Sequence, residues 1–284
     1  MTRIGIISDT HIPQRWPALH DSLPHIFKDV DLILHAGDVG KLWVLDEIGQ
    51  IAPVIAVHGN DETDEATAAL PYLQTVVIGG RRIVITHSHY PDRAEEMESR
   101  KIDDWHPKLK RLAKMALDHD ARLLVYGHTH IPMCIEYDGV LIFNPCWISS
   151  GGFFLRQTMQ SVATLELNGR GTPQITHHDL NRNGQPFSPS VDVDAGFKAA
   201  WLNVNAPIVT QDIHEIQGWL FRELIPIAGE QLFNAMLPVL HRAWKYEIDY
   251  VTPEMVVQTL RADNAIPLAV YDVLRESDVF APYL

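Results

Sequence analysis

The sequence predicts an α/β fold of two sheets followed by an all-helical C-terminal extension. Three observations lead there. Short β-branched runs alternate with helical stretches through the first half, strand follows strand from Met133 onward, and helical periodicity takes over beyond about residue 187. Strand alternating with helix is the pattern of an α/β core, and a strand-rich stretch after it needs a second layer to cover its apolar face.

In chain order, residues 3–8, 31–35, 53–58, 75–78, 82–86 and 121–126 each read as a buried strand ending in polar or glycine residues. Between the last two lies a polar region whose end, 107–119, carries Leu109, Leu112, Ala113, Met115 and Ala116 at helical spacing, with Lys108, Lys110, Arg111 and Lys114 on a solvated face. Strands then follow at 133–137, 140–143, 161–167 and 174–179, with turn signals at Asp138-Gly139 and Asn168-Gly169. The stretch from Asn181 to Pro186, with Ser188-Pro189-Ser190 behind it, reads as a linker. Residues 1–186 are therefore expected to form one domain, and 187–284 a helical extension serving as lid or oligomerisation element. In the extension, Ile213, Ile216, Leu220 and Leu224 recur at helical spacing after a Thr210 N-cap, and Thr252-Pro253-Glu254 opens another helix. Pro238 is expected to kink or split the helix over 229–244. Trp201, Trp219, Phe221 and Trp244 are assigned to the extension's core.

The 284 residues carry a formal net charge of −13, which disfavours tight nonspecific nucleic-acid binding, since that needs clustered Lys and Arg. A phosphate substrate is still compatible, because bound divalent cations make a local positive site. The 2 cysteines, Cys134 and Cys146, make no disulfide framework. Together with the absence of a signal-like or membrane-spanning apolar run, they lead us to expect a cytoplasmic protein without membrane association.

Histidines number 15, and all but His214 and His241 precede residue 180. Several fall just after predicted strands: Asp9-Thr10-His11, Ala36-Gly37-Asp38, Gly59-Asn60-Asp61, His87-Ser88-His89 and Gly127-His128-Thr129-His130. The carboxyl ends of strands in an α/β sheet share one edge, where ligands bind, so these residues should converge on one crevice. His35 and His58 alternate with apolar strand residues and read as core or as supports for ligands. His20, His25, His106, His119, His177 and His178 read as surface residues, as do His214 and His241.

The order D-x-H, G-D, G-N, H, G-H-x-H resembles the calcineurin-like metallophosphoesterase superfamily, and within it the YfcE-type phosphodiesterases. The resemblance spans roughly residues 1–180. It implies a four-layer αββα sandwich of two mixed sheets and a site for two divalent cations, with manganese expected and iron, nickel, cobalt or zinc as alternatives. It implies Asp9, His11, Asp38 and His130 around one ion and Asp38, Asn60, His87 and His128 around the other, with Asp38 shared. The activity implied is hydrolysis of a small phosphodiester by a metal-bridging hydroxide. A phosphomonoesterase and a non-catalytic scaffold of the same fold are the alternatives, and a homo-oligomer through the C-terminal helices is compatible with each. The chain departs from the family pattern in three places. Asp61 stands where many members have a proton-donating His, which leaves Asp61, His89 or water as donor. Ser88 replaces a usual Gly, and Asn144-Pro145-Cys146-Trp147 replaces Asn-Pro-Gly-Ser.

Overall fold

In the computed structural model, which describes residues 1–149, 151–169 and 171–284, the strands are β1 (Thr2–Ile7), β2 (Leu32–His35), β3 (Val54–Ala56), β4 (Leu73–Ile78), β5 (Arg81–Thr86), β6 (Leu123–Tyr126), β7 (Met133–Tyr137), β8 (Val140–Asn144), β9 (Leu155–Gln157), β10 (Ser161–Leu167), β11 (Gln174–Asp179), β12 (Gln185–Phe187) and β13 (Asn205–Pro207). The helices are α1 (Leu23–Ile26), α2 (Trp43–Gly49), α3 (Asp64–Ala69), α4 (Arg93–Ser99), α5 (His106–Asp118), α6 (Phe197–Asn203), α7 (Gln211–Trp244), α8 (Pro253–Arg261) and α9 (Leu268–Arg275).

The chain divides into two units, Met1–Ser149 with Met159–Val204, and Ser150–Thr158 with Asn205–Leu284. The first unit holds two mixed sheets, ordered β12-β11-β10-β1-β2-β3 and β4-β5-β6-β8-β7. β1, β2 and β3 run parallel to one another, as do β5, β6 and β8, while the flanking strands are antiparallel. Alternation along the strands sorts side chains into three apolar layers. Ile4, Ile6, Leu34, Ile83, Ile85, Val125, Phe143 and Leu165 meet between the sheets. Ile7 and Ile33 face α1 and α2 through Leu23, Ile26, Val44 and Ile48. Val84, Leu124 and Tyr126 face the apolar stripe of α5, Leu109, Leu112 and Ala116. This is the expected four-layer arrangement, helix, sheet, sheet, helix.

Three local expectations differ from the structure. The stretch read as a linker contributes β12, whose His178↔Pro186 register extends the first sheet at its edge, where a proline that cannot donate to a neighbour is tolerated. The boundary expected at residue 186 falls within β12, inside the first unit. α7 runs through Pro238 as helix and breaks instead at Ala228, with φ −154° and ψ 34°. There Pro226 removes a backbone donor and Gly229, a poor helix former, follows closely, so two weaknesses coincide.

The second unit consists of α7, α8 and α9 with the β9–β13 pair, around Ile213, Leu220, Leu224, Leu232 and Leu240. Trp244 closes it by donating from Nε1 to the Gly152 carbonyl at 3.2 Å.

Ile85, fully buried between the sheets, sets a test of the layered core. Ile85→Ala should cost about 2–5 kcal/mol in denaturant unfolding, whereas Val77→Ala, on a side chain 65% exposed, should stay within about 0.5 kcal/mol.

Candidate metal centre

The loops after β1, β2, β3, β5 and β6 carry the residues singled out by the sequence. Asp9, His11, Asp38 and His87 are buried, whereas Asn60 is exposed. Backbone bonds tie the first two loops together: Asp9 N–H donates to Gly37 O at 2.9 Å and His11 N–H to Asp38 O at 3.0 Å. Asp9, His11, Asp38, His128 and His130 all adopt positive φ, between 46° and 71°. L-residues other than Gly enter this region at a cost of about 1–3 kcal/mol and remain there only where their surroundings demand it. Two glycines make room for the carboxylates. A Cβ on Gly59 would sit 1.9 Å from Asp38 Oδ1, and one on Gly127 would sit 2.7 Å from Asp9 Oδ2.

The donors form two clusters that share Asp9, namely Asp9 with His11 and His130, and Asp9 with Asp38 and His87. His130 Nε2 lies 3.1 Å from Asp9 Oδ1, while Asp38 Oδ2 lies 3.4 Å from His11 Nε2 and 3.1 Å from His87 Nε2. The buried Nε2 atoms of His11 and His87 make no hydrogen bond. Polar atoms sealed from water are almost always paired, and two unpaired imidazole nitrogens facing two carboxylates are the donor set of a cation site. The remaining ring nitrogens are held. His87 donates from Nδ1 to Ala36 O at 2.8 Å, and His128 donates from Nε2 to Glu96 Oε1 at 2.8 Å, which leaves the Nδ1 lone pair of a neutral His128 for a cation.

The electrostatics point the same way. Burial pushes the Asp38 carboxyl up, but the His87 and His11 imidazoles outweigh it and hold the group well below the usual carboxylate range. Asp9 is lowered too, its burial overcome by His130 and His87. Burial pushes His87 down, yet Asp38 and Asp9 prevail and raise it to about 9. Burial holds His128 near 3 and, helped by Arg15, His11 near 4, so both are neutral donors. The carboxylate pair therefore demands positive charge, which a proton on His87 supplies here and a divalent cation would supply in its place.

His128 belongs to neither cluster, and it and Asn60 line the adjoining cavity of about 420 Å³ with His11, Asp38 and His130. Asp61 lines it as well. Its carboxylate pairs with Arg15 and lies 3.5 Å from His11 Nδ1. His89 does not line the cavity. It is buried with Nδ1 unpaired, its ring 5.6 Å from that of His87, and burial holds it near 4. His35 accepts from Gly37 N–H at Nδ1 and bonds Thr10 Oγ1 through Nε2 at 3.1 Å, so it serves as a support. His177 corrects the surface assignment. Its strand β11 is flanked on both sides, and the buried ring bonds the Asn144 carbonyl from Nε2 at 2.8 Å.

Four residues outside the expected ligand set also matter. The Glu62 carboxylate receives the N–H groups of Val39, Gly40 and Gly59, bracing the Asp38 loop against the Asn60 loop. Burial nonetheless raises it to about 7. Glu96 on α4 fixes His128. Trp147 stacks on His130 at 3.7 Å. Trp201, assigned by sequence to the extension's core, lies instead in the first unit and lines the cavity with Phe197. Glu62 had a local signal, its place directly behind Gly59-Asn60-Asp61, and Trp147 stood in the altered Asn-Pro-Gly-Ser segment.

Among proteins of known sequence, the model of the calcineurin-like phosphoesterase superfamily domain matches residues 2–170. A probable metallophosphoesterase of Methanothermobacter thermautotrophicus is 31% identical over 189 residues, 66% of this chain and 97% of that protein. A phosphodiesterase of Methanocaldococcus jannaschii is 27% identical over 157 residues, 50% of this chain and 82% of that protein. Vps29 of Chaetomium thermophilum superposes with a TM-score of 0.51 at 17% identity, covering 66% of this chain and 95% of its own, a likeness of fold.

Ser88 stands at φ 75° with its buried Oγ unpaired. Ser88→Gly removes both costs and should raise stability by about 1 kcal/mol in equilibrium unfolding.

Proposed function

Because the chain belongs to the calcineurin-like phosphoesterase superfamily, and is with it a metal-dependent hydrolase of phosphoesters, we propose that it cleaves a small phosphodiester at a pair of divalent cations. The observation that carries this reading is the gathering of Asp9, His11, Asp38, His87 and His130 into two overlapping donor clusters, with the Nε2 atoms of both His11 and His87 turned toward Asp38, which suits it as the shared ligand. The relative named a phosphodiesterase supports a diester over a monoester.

Asp9, His11, Asp38 and His130 would hold one ion, and Asp38, Asn60, His87 and His128 the other, with manganese as the working cation. Divalent cations held by these residues would supply Lewis acidity toward the phosphoryl oxygens and a water-derived nucleophile near neutral pH. The protein's part is to aim and to exclude. Glu96 turns the His128 ring so that Nδ1 is free, and Asp61, anchored by Arg15, steadies His11. Trp147 fixes the plane of His130. His89, neutral and behind the cavity wall, supports the rings of His87 and His128, and water protonates the departing group. Esters with good leaving groups should therefore react fastest. Cys134 and Cys146, which form no disulfide with each other, suit a reducing cytoplasm.

Phe221, expected in the extension's core, is instead exposed, and with exposed Ile225 one helical turn along α7 it supports self-association through the second unit. A Phe221→Glu/Ile225→Glu variant is expected to sediment as a smaller species than the parent. Equal sedimentation would remove that part of the proposal.

Three outcomes follow for the site. Metal-stripped protein should not hydrolyse a chromogenic phosphodiester until Mn²⁺ is added. Asp38→Ala should abolish turnover with the fold retained by circular dichroism; retained turnover would overturn the assignment. Glu96→Gln should weaken metal affinity by about 10–100-fold in a direct titration, the usual effect of loosening a carboxylate behind a ligating histidine.

A further inference from the structure

The cavity beside the donor clusters is far larger than a phosphate requires, and one part of its wall comes from beyond the residues that match the family. Helix α6 begins at Phe197, past residue 170, yet belongs to the first unit and places Phe197 and Trp201 on the lining. Its start is pinned. Asp103 Oδ1 accepts from Lys198 N–H at 2.7 Å, and Gly196, at φ 90°, passes so close that a Cβ there would lie 2.8 Å from the same oxygen. Phe197 is backed by Trp105, 5.0 Å between ring centroids, and Trp105 is completely buried. Ala200 on the same helix, and Val204 just past its end, are seated in the layer between α5 and the second sheet. The aromatic wall is therefore rigidly mounted, at a place where a hydrolase of small phosphoesters has no need of it.

Charge adds a second requirement. Two of the cations lining the cavity are committed, Arg15 to Asp61 and Arg100 to Glu96. Lys108, half-buried on α5 and lining the same cavity, pairs with no carboxylate among the described residues. Burial and the neighbouring Arg111 hold its ammonium down to about 7. A half-buried ammonium that lines the cavity and forms no ion pair among the described residues is placed to receive an anionic or strongly polar oxygen from a ligand. Ser99 and Thr129 add hydroxyls to the lining. Flat apolar faces beside hydroxyls and an unpaired cation match a base attached to a sugar and phosphate better than a plain aryl or alkyl group.

We propose that the substrate is a phosphodiester in which one esterified group is a nucleoside, its base lying on Phe197 and Trp201 and its sugar-phosphate oxygens reaching Lys108. This rests on the phosphodiesterase reading above and names the substrate class of that site.

The test uses the full-length, Mn²⁺-loaded protein and three esters that share p-nitrophenolate as leaving group, with thymidine 5′-phosphate, phenyl phosphate or methyl phosphate as the retained part. Expected is a clear preference in kcat/KM for the thymidine ester over both others. Trp201→Leu, which keeps apolar bulk but removes the ring, should cut the thymidine-to-methyl ratio by about 5- to 100-fold, the range for loss of one base-stacking side chain. Lys108→Met should lower the same ratio mainly through KM. A phenyl ester as good as the thymidine ester, or ratios that neither variant moves, would overturn the proposal. Calorimetric binding of thymidine 5′-monophosphate separates it from the reading it rests on. Binding lost in Trp201→Leu, without turnover of any ester, upholds the pocket while the hydrolytic reading fails. Turnover of the methyl ester without nucleotide binding does the reverse.

Discussion

Two carboxylates, Asp9 and Asp38, lie almost wholly out of water, and much of the first unit's architecture answers to that fact. Burying one unpaired carboxylate is expensive and burying two side by side is worse. The fold meets this with oriented donors. Asp9 receives the Ser8 hydroxyl and the His128 N–H, and Asp38 receives the Asp61 N–H at 2.8 Å. Imidazoles from β5 and β6 loops complete the shell. Close approach of the loops leaves no space for side chains at Gly59 and Gly127, and the left-handed backbone at Asp9, Asp38 and His128 follows from aiming side chains inward from strand ends. A centre so arranged holds negative charge in excess, which is the condition for retaining divalent cations.

Much of this was legible in the sequence because it is local. A β-branched run followed by a glycine and a polar residue marks a strand end wherever it occurs, so β1, β2, β5 and β6 could be placed to within a residue or two, and Asp9, Asp38 and His87 with them. What could not be read depends on distant partners. Glu96 sits on α4 in a polar stretch without periodicity, and only the folded chain brings it to His128. Trp201 looks like any aromatic of a helical segment until α6 is found against α5. His177 has an ordinary strand context, and its burial comes from the neighbouring strands and from the Asn144 carbonyl that meets it. Pro238 was the local signal for a break in α7, yet the helix breaks at Ala228, where Pro226 and Gly229 lie close together.

The departures from the family pattern share a physical theme. Ser88 and Cys146 both take positive φ, at 75° and 79°, where glycine would be at ease. Cys146 has compensation: its N–H donates to Asn144 Oδ1 at 2.7 Å and its thiol contacts the His130 carbonyl at 3.2 Å. Directly after it, Trp147 lies flat on the His130 ring. The strained turn therefore carries a large aromatic to a histidine that would otherwise have one open face. Ser88 shows no such return in its side chain, although its carbonyl receives the Arg111 guanidinium.

The short strand β9 lies in sequence between β8 and β10 of the first unit, yet it pairs with β13 in the second. The second unit is thus not a tail appended to a finished domain, because one of its two strands is donated from within the first unit's own stretch of chain. Transplanting it to another protein would take two junctions, and a single nick after Val204 would not release it whole.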